Sequence, residues 1–166
     1  HVEAKGVWLD VMSKVRGLSD FETLWSRRTT VETEHQVIDV LSLLDLIKAK
    51  KTQRDKDWPM VQRLVEAHFA QHALAPEAAM LDFWLRESRT PQILIDIARL
   101  DPERCRLLSE DRPLLSHAAG GDVSQLTAAL RAEEDAEREA DRHYWAPLKK
   151  ELEQLRLNRM RPKTNG

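Results

Sequence analysis

Across residues 42–161 the apolar side chains of this 166-residue chain recur at intervals of three and four. That spacing places them along one face of successive helices, and the intervening residues are typical of helix starts and stops. The expected start and stop residues are Ser42, Asp57, Pro76, Pro91, Asp101, Pro102, Gly120, Gly121 and Asp122. The pattern therefore predicts a chain that is helical over most of its length.

The first quarter of the chain, residues 1–41, has a different pattern. Residues 7–11, 29–33 and 37–40 are rich in β-branched residues and alternate as strands do, and the last two runs are close enough to form a hairpin. Residues 19–25 carry aromatic side chains at helical spacing, which predicts one or two helical turns with those rings in the core.

Length and composition favour one core. A chain of 166 residues, 42% of them hydrophobic, can bury a core of its own within a single domain. We expect an α+β, mostly helical fold in one domain, 1–166. Its expected segments are a β-rich segment (1–41), a helical body (42–121), a long amphipathic helical element bent at Pro147 (122–161) and a disordered tail (162–166).

Charge and cysteine content exclude several classes of protein. The net charge is −2 and the isoelectric point is near 6.3, so no overall field attracts nucleic acid or an anionic membrane. Cys105 is the only cysteine, which excludes an internal disulfide and is typical of a reducing compartment. No apolar run approaches the roughly 20 residues that span a bilayer. We expect a bacterial cytoplasmic protein without a membrane segment.

The C-terminal element has an acidic half and a basic half. Residues 131–142 are almost all charged, whereas residues 149–161 are mainly basic around regularly spaced leucines. This pattern predicts a helix that packs on its own domain, on a protein partner or on a second copy in a homodimer. A weaker alternative is nucleic-acid binding through Arg156, Arg159 and Arg161, which lack the interleaved aromatics typical of such surfaces.

The densest group of charges lies at residues 48–57, with five cations and two carboxylates. One interpretation is structural: Lys50 and Lys51 neutralise a helix C-terminus and Asp57 caps the next helix. The other is a ligand site on a loop held by rigid helices.

Three segments carry a resemblance to a known family. Residues 41–50 (LSLLDLIKAK) and 54–57 (RDKD) resemble the helix and turn that follow the catalytic sheet in bacterial nucleotidyltransferase-fold proteins, including minimal and abortive-infection-type members of toxin–antitoxin systems. Residues 8–12 (WLDVM) resemble the strand that carries the third active-site carboxylate of that family. The resemblance extends over residues 5–70.

The resemblance implies Mg²⁺-dependent transfer of a nucleotide from an NTP, because paired metals clamp the attacking and leaving oxygens. It makes Asp10 a catalytic carboxylate and metal ligand. The nucleotide-binding residues that it implies are Lys50, Arg54, Lys56 and Asp57. The family's Gly-Ser turn and Asp-x-Asp pair come before this carboxylate, and residues 1–9 contain neither. We therefore expect a catalytically incomplete, C-terminal part of such a protein, or alternatively a non-catalytic helical interaction or oligomerisation module.

Histidine and cysteine are two further candidate centres of chemistry. His68 and His72 have the i, i+4 spacing of a metal-binding pair, but without a third ligand they favour packing over zinc. Cys105 lies between two arginines, yet the leucines that follow favour a packed helix over a reactive thiol.

Overall fold

The computed structural model describes residues 14–160 and has the expected α+β, mostly helical fold, with a two-stranded antiparallel sheet and a long C-terminal helix. The elements in chain order are α1 (Phe21–Ser26), β1 (Thr29–Glu32), β2 (Val37–Val40), α2 (Leu43–Lys50), α3 (Asp57–His72), α4 (Ala78–Glu87), α5 (Pro91–Leu100), α6 (Pro102–Leu108), α7 (Leu115–Gly120) and α8 (Val123–Met160). Three predicted features lie outside the described residues: the strand at 7–11, Asp10 within it, and the tail at 162–166.

The chain divides into two compact units, His1–Ala49 and Lys50–Gly166. The described part of the first unit contains α1, the hairpin and most of α2, and the second contains the remaining helices. The single domain expected from the sequence stays a prediction.

The predicted hairpin is confirmed in the first unit. β1 pairs with β2 in antiparallel register, with Thr29 opposite Val40 and Glu32 opposite Val37. Side chains on both strands are exposed. The Thr30 hydroxyl donates to Asp39 across the strands over 2.7 Å, so a polar cross-strand pair supports the register.

A buried carboxylate fixes the start of α2. Ser42 is the predicted cap, and its Oγ accepts from the Asp45 backbone N–H and donates to Asp45 Oδ2. Arg27 donates to both oxygens of Asp45 over 2.6 and 2.7 Å. Burial alone would raise the pKa of Asp45, but the hydrogen bonds from Arg27 and Ser42 outweigh it and hold that pKa below its ordinary value.

The prediction that the aromatic residues of α1 lie in the core is wrong. The short helix forms as expected, with Asp20 accepting from the Thr23 backbone N–H, but Phe21 is 67% exposed and Trp25 is 44% exposed. Their rings stack on each other with centroids 5.6 Å apart, and the Arg28 guanidinium lies 4.1 Å from the Trp25 ring centroid. Helical spacing brings the two rings together, but it does not by itself provide a surface to cover them.

Helix α5 is the centre of the second unit. It packs against α4, α6, α7 and α8, and α3 packs against α4. Because α5 has neighbours on several sides, its buried residues extend around the helix: Ile93, Leu94, Ile95, Ile97 and Ala98. The other helices each contribute one apolar face to this core.

Local cap chemistry explains several helix ends. Asp101 accepts from the Arg104 backbone N–H to start α6, and Asp122 accepts from the Gln125 backbone N–H to start α8. Gly121 ends α7 in a left-handed conformation with φ of 69°, which a glycine adopts without strain. These predicted ends are confirmed.

Two predicted helix starts differ from the structure. Pro76 precedes α4, whose cap position is occupied by Glu77, so this proline is not in the first turn. Asp57 is the first residue of α3 and is not its side-chain cap, because its carboxylate is bound by residues that precede it. Pro91 and Pro102 do open their helices as expected.

Helix α8 runs without interruption from Val123 through Pro147 to Met160. Leu126, Leu130 and Asp141 are buried on one side of its first half. Beyond Asp141 most side chains are exposed. The first half of α8 therefore packs within its own unit. This agrees with the predicted alternative in which the C-terminal helix packs on its own domain.

Candidate functional site

The loop between α2 and α3 is built around the carboxylate of Asp57, which is 2% exposed. The Thr52 hydroxyl donates to Asp57 Oδ2 over 2.6 Å, and Lys50 Nζ lies 3.5 Å from Oδ1. A carboxylate at the first position of a helix also interacts favourably with the helix dipole. Both oxygens of Asp57 are therefore in contact with residues of the preceding segment and stabilise the conformation of the loop.

Trp58 anchors the same loop within the second unit. Its side chain is 3% exposed, and its indole N–H donates to the Thr52 carbonyl over 2.8 Å. The guanidinium of Arg89 lies 4.7 Å from the centroid of the ring, and that of Arg138 lies 5.7 Å from it. Cations this close to an indole face are attracted to its electron density.

The loop is also bound to α8. The Gln53 backbone N–H donates to Asp141 Oδ2 over 2.9 Å, and the Trp145 indole N–H donates to Asp141 Oδ1 over 3.1 Å. Asp55 pairs with Arg138. Because Asp141 is 3% exposed, its two hydrogen bonds form a buried junction between loop and helix.

The predicted nucleotide-binding residues separate into two groups. Lys50 and Asp57 lie together and face each other within the loop. Arg54 and Lys56 are exposed. Lys56 lines an open surface cavity of about 400 Å³, and the other lining residues are Pro59, Met60, Arg63 and Leu64. Nothing in this arrangement tests nucleotide binding, and these roles stay predictions.

Among the described residues the loop carboxylates do not form a metal pair, and the Mg²⁺ cofactor stays a prediction. Asp55 pairs with Arg138, and Asp57 is buried against Thr52, so the Asp55-x-Asp57 sequence is not a metal pair. Between residues 14 and 160 no group of three or more histidine, cysteine, aspartate or glutamate side chains could hold a metal ion. The predicted ligand Asp10 lies outside this range.

The histidine pair on α3 is held by packing. Trp84 donates its indole N–H to His68 Nδ1 over 3.0 Å, and the rings of His68 and His72 lie 4.6 Å apart. Burial, with a smaller effect from the charge of His72, lowers the pKa of His68. Neutral His68 that accepts at Nδ1 carries its proton on Nε2, so neither nitrogen presents a free lone pair to a metal.

Cys105 has the packed environment that the sequence predicted. Its thiol is fully buried and donates to the Leu115 carbonyl over 3.6 Å. Burial raises the pKa of the thiol. A buried thiol with a raised pKa is a poor nucleophile.

An ionic cluster of two buried arginines and the half-buried Glu133, which the sequence pattern did not predict, joins three parts of the second unit. Arg112 donates to both oxygens of Glu133 on α8, and Arg89 lies 2.7 Å from Glu133 Oε2. Arg112 also donates to the carbonyls of Leu85 and Ser88 at the end of α4. Burial would raise the pKa of Glu133, but the Arg112 hydrogen bonds and the nearby cations outweigh it and lower that pKa. The sequence of the acidic run at 131–142 does not distinguish inward from outward charges, and only the fold shows that Glu133 faces inward.

The second half of α8, residues 142–160, is called here the α8 tip. Leu148, Leu152 and Leu155 are 44%, 48% and 52% exposed. Together with half-buried Trp145 they recur at intervals of three and four, the a and d positions of a heptad repeat. We call Trp145, Leu148, Leu152 and Leu155 the apolar stripe. It continues along α8 from the side that is buried in the first half of the helix.

Positively charged residues lie along one side of the apolar stripe. Arg142, Lys149 and Arg156 follow one another at intervals of seven, at the e positions of the same heptads. We call these three residues the basic row. All three are exposed. Arg142 pairs with Glu139, and Lys149 donates to Gln53 Oε1 over 3.3 Å. On the other flank, at g positions, lie Tyr144, Glu151 and Asn158.

Comparisons with known proteins identified no relative: no family model, curated protein or solved structure matches this chain. In the part of the chain that the structure describes, no helix is both long enough and apolar enough to cross a membrane.

Proposed function

We propose that this chain is a non-catalytic interaction module that binds a helical protein partner through the α8 tip. The observation that carries the proposal is the apolar stripe, whose three leucines are each about half exposed on a helix that extends past its own core. Heptad spacing is the pattern with which helices pack side by side. Exposed leucines arranged in this way form a contiguous apolar surface, which is typical of interaction sites.

The contacts of the loop support this proposal over catalysis. Lys50, Thr52 and Asp57 bind one another, and Gln53 binds Asp141, so these groups shape the loop and hold it against α8. By fixing Asp141 they also hold the helix at the point where the α8 tip begins. We further propose a cytoplasmic location, which rests on the single buried thiol and the sequence composition.

Replacing Leu152 with glutamine should weaken helix binding without unfolding the protein. The probe is a fluorescently labelled helical peptide of about three heptads, with leucine at a and d and glutamine at e and g. Loss of one leucine from a packed helix interface costs about 2 kcal/mol, so we expect a roughly 30-fold rise in Kd, measured by fluorescence anisotropy.

Leu157 provides a matched control, because it is 57% exposed on the same helix but lies at an f position, away from the apolar stripe. Leu157→Gln should leave both the Kd and the melting temperature unchanged. Equal losses in the two variants, or no binding by the wild-type protein, would contradict the proposed function.

A second proposal keeps the nucleotidyltransferase resemblance. Arg54 and Lys56 are exposed on a loop whose other residues are fixed by hydrogen bonds, so their charges could meet a triphosphate at small entropic cost. Asp10 would supply the carboxylate for Mg²⁺, with an unknown acceptor and with the remaining ligands from elsewhere.

Titration calorimetry with ATP, CTP, GTP and UTP, each with and without Mg²⁺, tests this second proposal. We expect Mg²⁺-dependent binding that is lost in Asp10→Asn and weakened about tenfold in a double variant of Arg54→Ala and Lys56→Ala. Arg106→Ala, at an exposed arginine of α6, is the control. Absence of heat with all four nucleotides would reject nucleotide binding by this chain.

A further inference from the structure

We infer that the partner of the α8 tip is an acidic amphipathic helix of another protein, with carboxylates along the side of its apolar face that meets the basic row. The inference rests on the proposed function, since it identifies the chemistry of the partner for the same surface. It follows from the charges that flank the apolar stripe and from the side of α8 on which that stripe lies.

The basic row sets the sign of the complementary charge. In paired helices the residues at e and g lie at the edge of the interface and face charged residues of the partner. Here one edge carries Lys149, Arg156 and Arg142, the last paired with Glu139, while the other edge carries a single charge, Glu151. The edges therefore have an excess of positive charge, and a partner helix with carboxylates beside its apolar residues is attracted to it.

A second copy of this chain in antiparallel orientation does not satisfy that charge. In an antiparallel pair the e positions of one helix face the e positions of the other. The pairing that places Leu148 opposite the partner's Leu152 also brings Lys149 close to Lys149 and to Arg156 of the second copy. Like charges at these positions oppose the association.

A second copy in parallel orientation is opposed by the fold. The apolar stripe continues from the side of α8 on which Leu126, Leu130 and Asp141 are buried by the rest of the Lys50–Gly166 unit. In a parallel pair, this buried side of each copy would face the other copy just before Trp145. The helices packed on that side in the two copies would then occupy the same space. An attraction between Glu151 and Arg156 of the two copies cannot form while that space is filled.

A single helix avoids both obstacles. At about 1.5 Å per residue the α8 tip is about 28 Å long, enough for a partner helix of between two and three heptads. Such a segment covers the apolar stripe, places its carboxylates beside the basic row and brings no bulky domain to the side of Asp141.

Three peptides test the inference. They share leucine at a and d and differ only at e and g, where they carry glutamate, glutamine or lysine. We expect the glutamate peptide to bind roughly tenfold more tightly than the glutamine peptide and the lysine peptide to bind most weakly, with the difference shrinking at high salt.

A double variant of Lys149→Glu and Arg156→Glu should reverse the order, so that the lysine peptide binds best. Lys150→Glu is the control, because it makes the same change of charge at an f position on the opposite face of the helix. This variant should bind the three peptides in the same order of affinity as the wild type. Sedimentation velocity of the wild-type chain should give the mass of a monomer.

The outcomes separate the inference from the function on which it rests. Equal binding of all three peptides overturns the acidic partner and leaves the interaction module standing. A dimer whose mass falls to that of a monomer with Leu152→Gln identifies a second copy as the occupant and also overturns the inference. A monomer that binds none of the peptides rejects the proposed function, and the inference with it.

Discussion

Ile97→Asp should lower the free energy of unfolding by about 4 kcal/mol or more. Ile97 is 2% exposed and lies on α5, the helix with neighbours on several sides. The substitution removes the buried apolar surface of the side chain and places a carboxyl group in a core of apolar side chains. Since small domains are stable by about 5–15 kcal/mol, this loss consumes a large part of the total.

Denaturation in urea, followed by circular dichroism, measures this effect. Leu100→Asp is the matched control, because Leu100 ends the same helix and is 63% exposed. That variant should change the free energy of unfolding by about 0.5 kcal/mol or less. Similar unfolding curves for Ile97→Asp and the wild type would show that α5 is not the centre of the core.

Arg112→Ala should destabilise the protein by about 3 kcal/mol, because breaking a buried ion pair leaves its partners uncompensated. Arg112 is 7% exposed and donates to both oxygens of Glu133 and to the carbonyls of Leu85 and Ser88. Removal of the guanidinium leaves those carbonyls without this donor, and Glu133 loses both of its hydrogen bonds from Arg112. The end of α4 and the middle of α8 lose their common anchor.

Arg86→Ala is the comparison for Arg112. Arg86 also pairs with a carboxylate, Asp111, but both side chains are about half exposed or more. Exposed ion pairs contribute little, so this variant should cost no more than about 0.5 kcal/mol in the same urea experiment. If both variants cost the same, the ionic cluster does not anchor α8 in the way that we describe.

Features that depend on neighbouring residues were predictable from the sequence. The caps at Ser42, Asp101 and Asp122 are formed by a side chain that binds a backbone N–H three residues later. The hairpin likewise follows from strand residues separated by a short turn. A capping hydrogen bond requires no more than the local chain, so its residue pattern is sufficient to predict it.

Features that depend on what lies opposite a side chain were harder to predict. Phe21 and Trp25 have the spacing of core residues but are exposed, since spacing does not specify a covering surface. Asp57 has the residue type of a helix cap, yet it is bound by Thr52 and Lys50 from the preceding loop. Of the loop residues named from the family resemblance, Lys50 and Asp57 bind each other, which their residue types alone did not specify.

The sequence by itself determined the class of fold, the order of most helices and the amphipathic character of the C-terminal element. These properties follow from periodicity and cap chemistry, which act over one or two turns of a helix. Tertiary structure alone decided which charges of α8 are internal and which apolar residues of α8 are uncovered. Glu133 and Asp141 face partners from distant segments, whereas Leu148 and Leu152 lie beyond the end of their own core. Residues far apart in the chain decide burial, because a side chain loses contact with water only where another surface meets it.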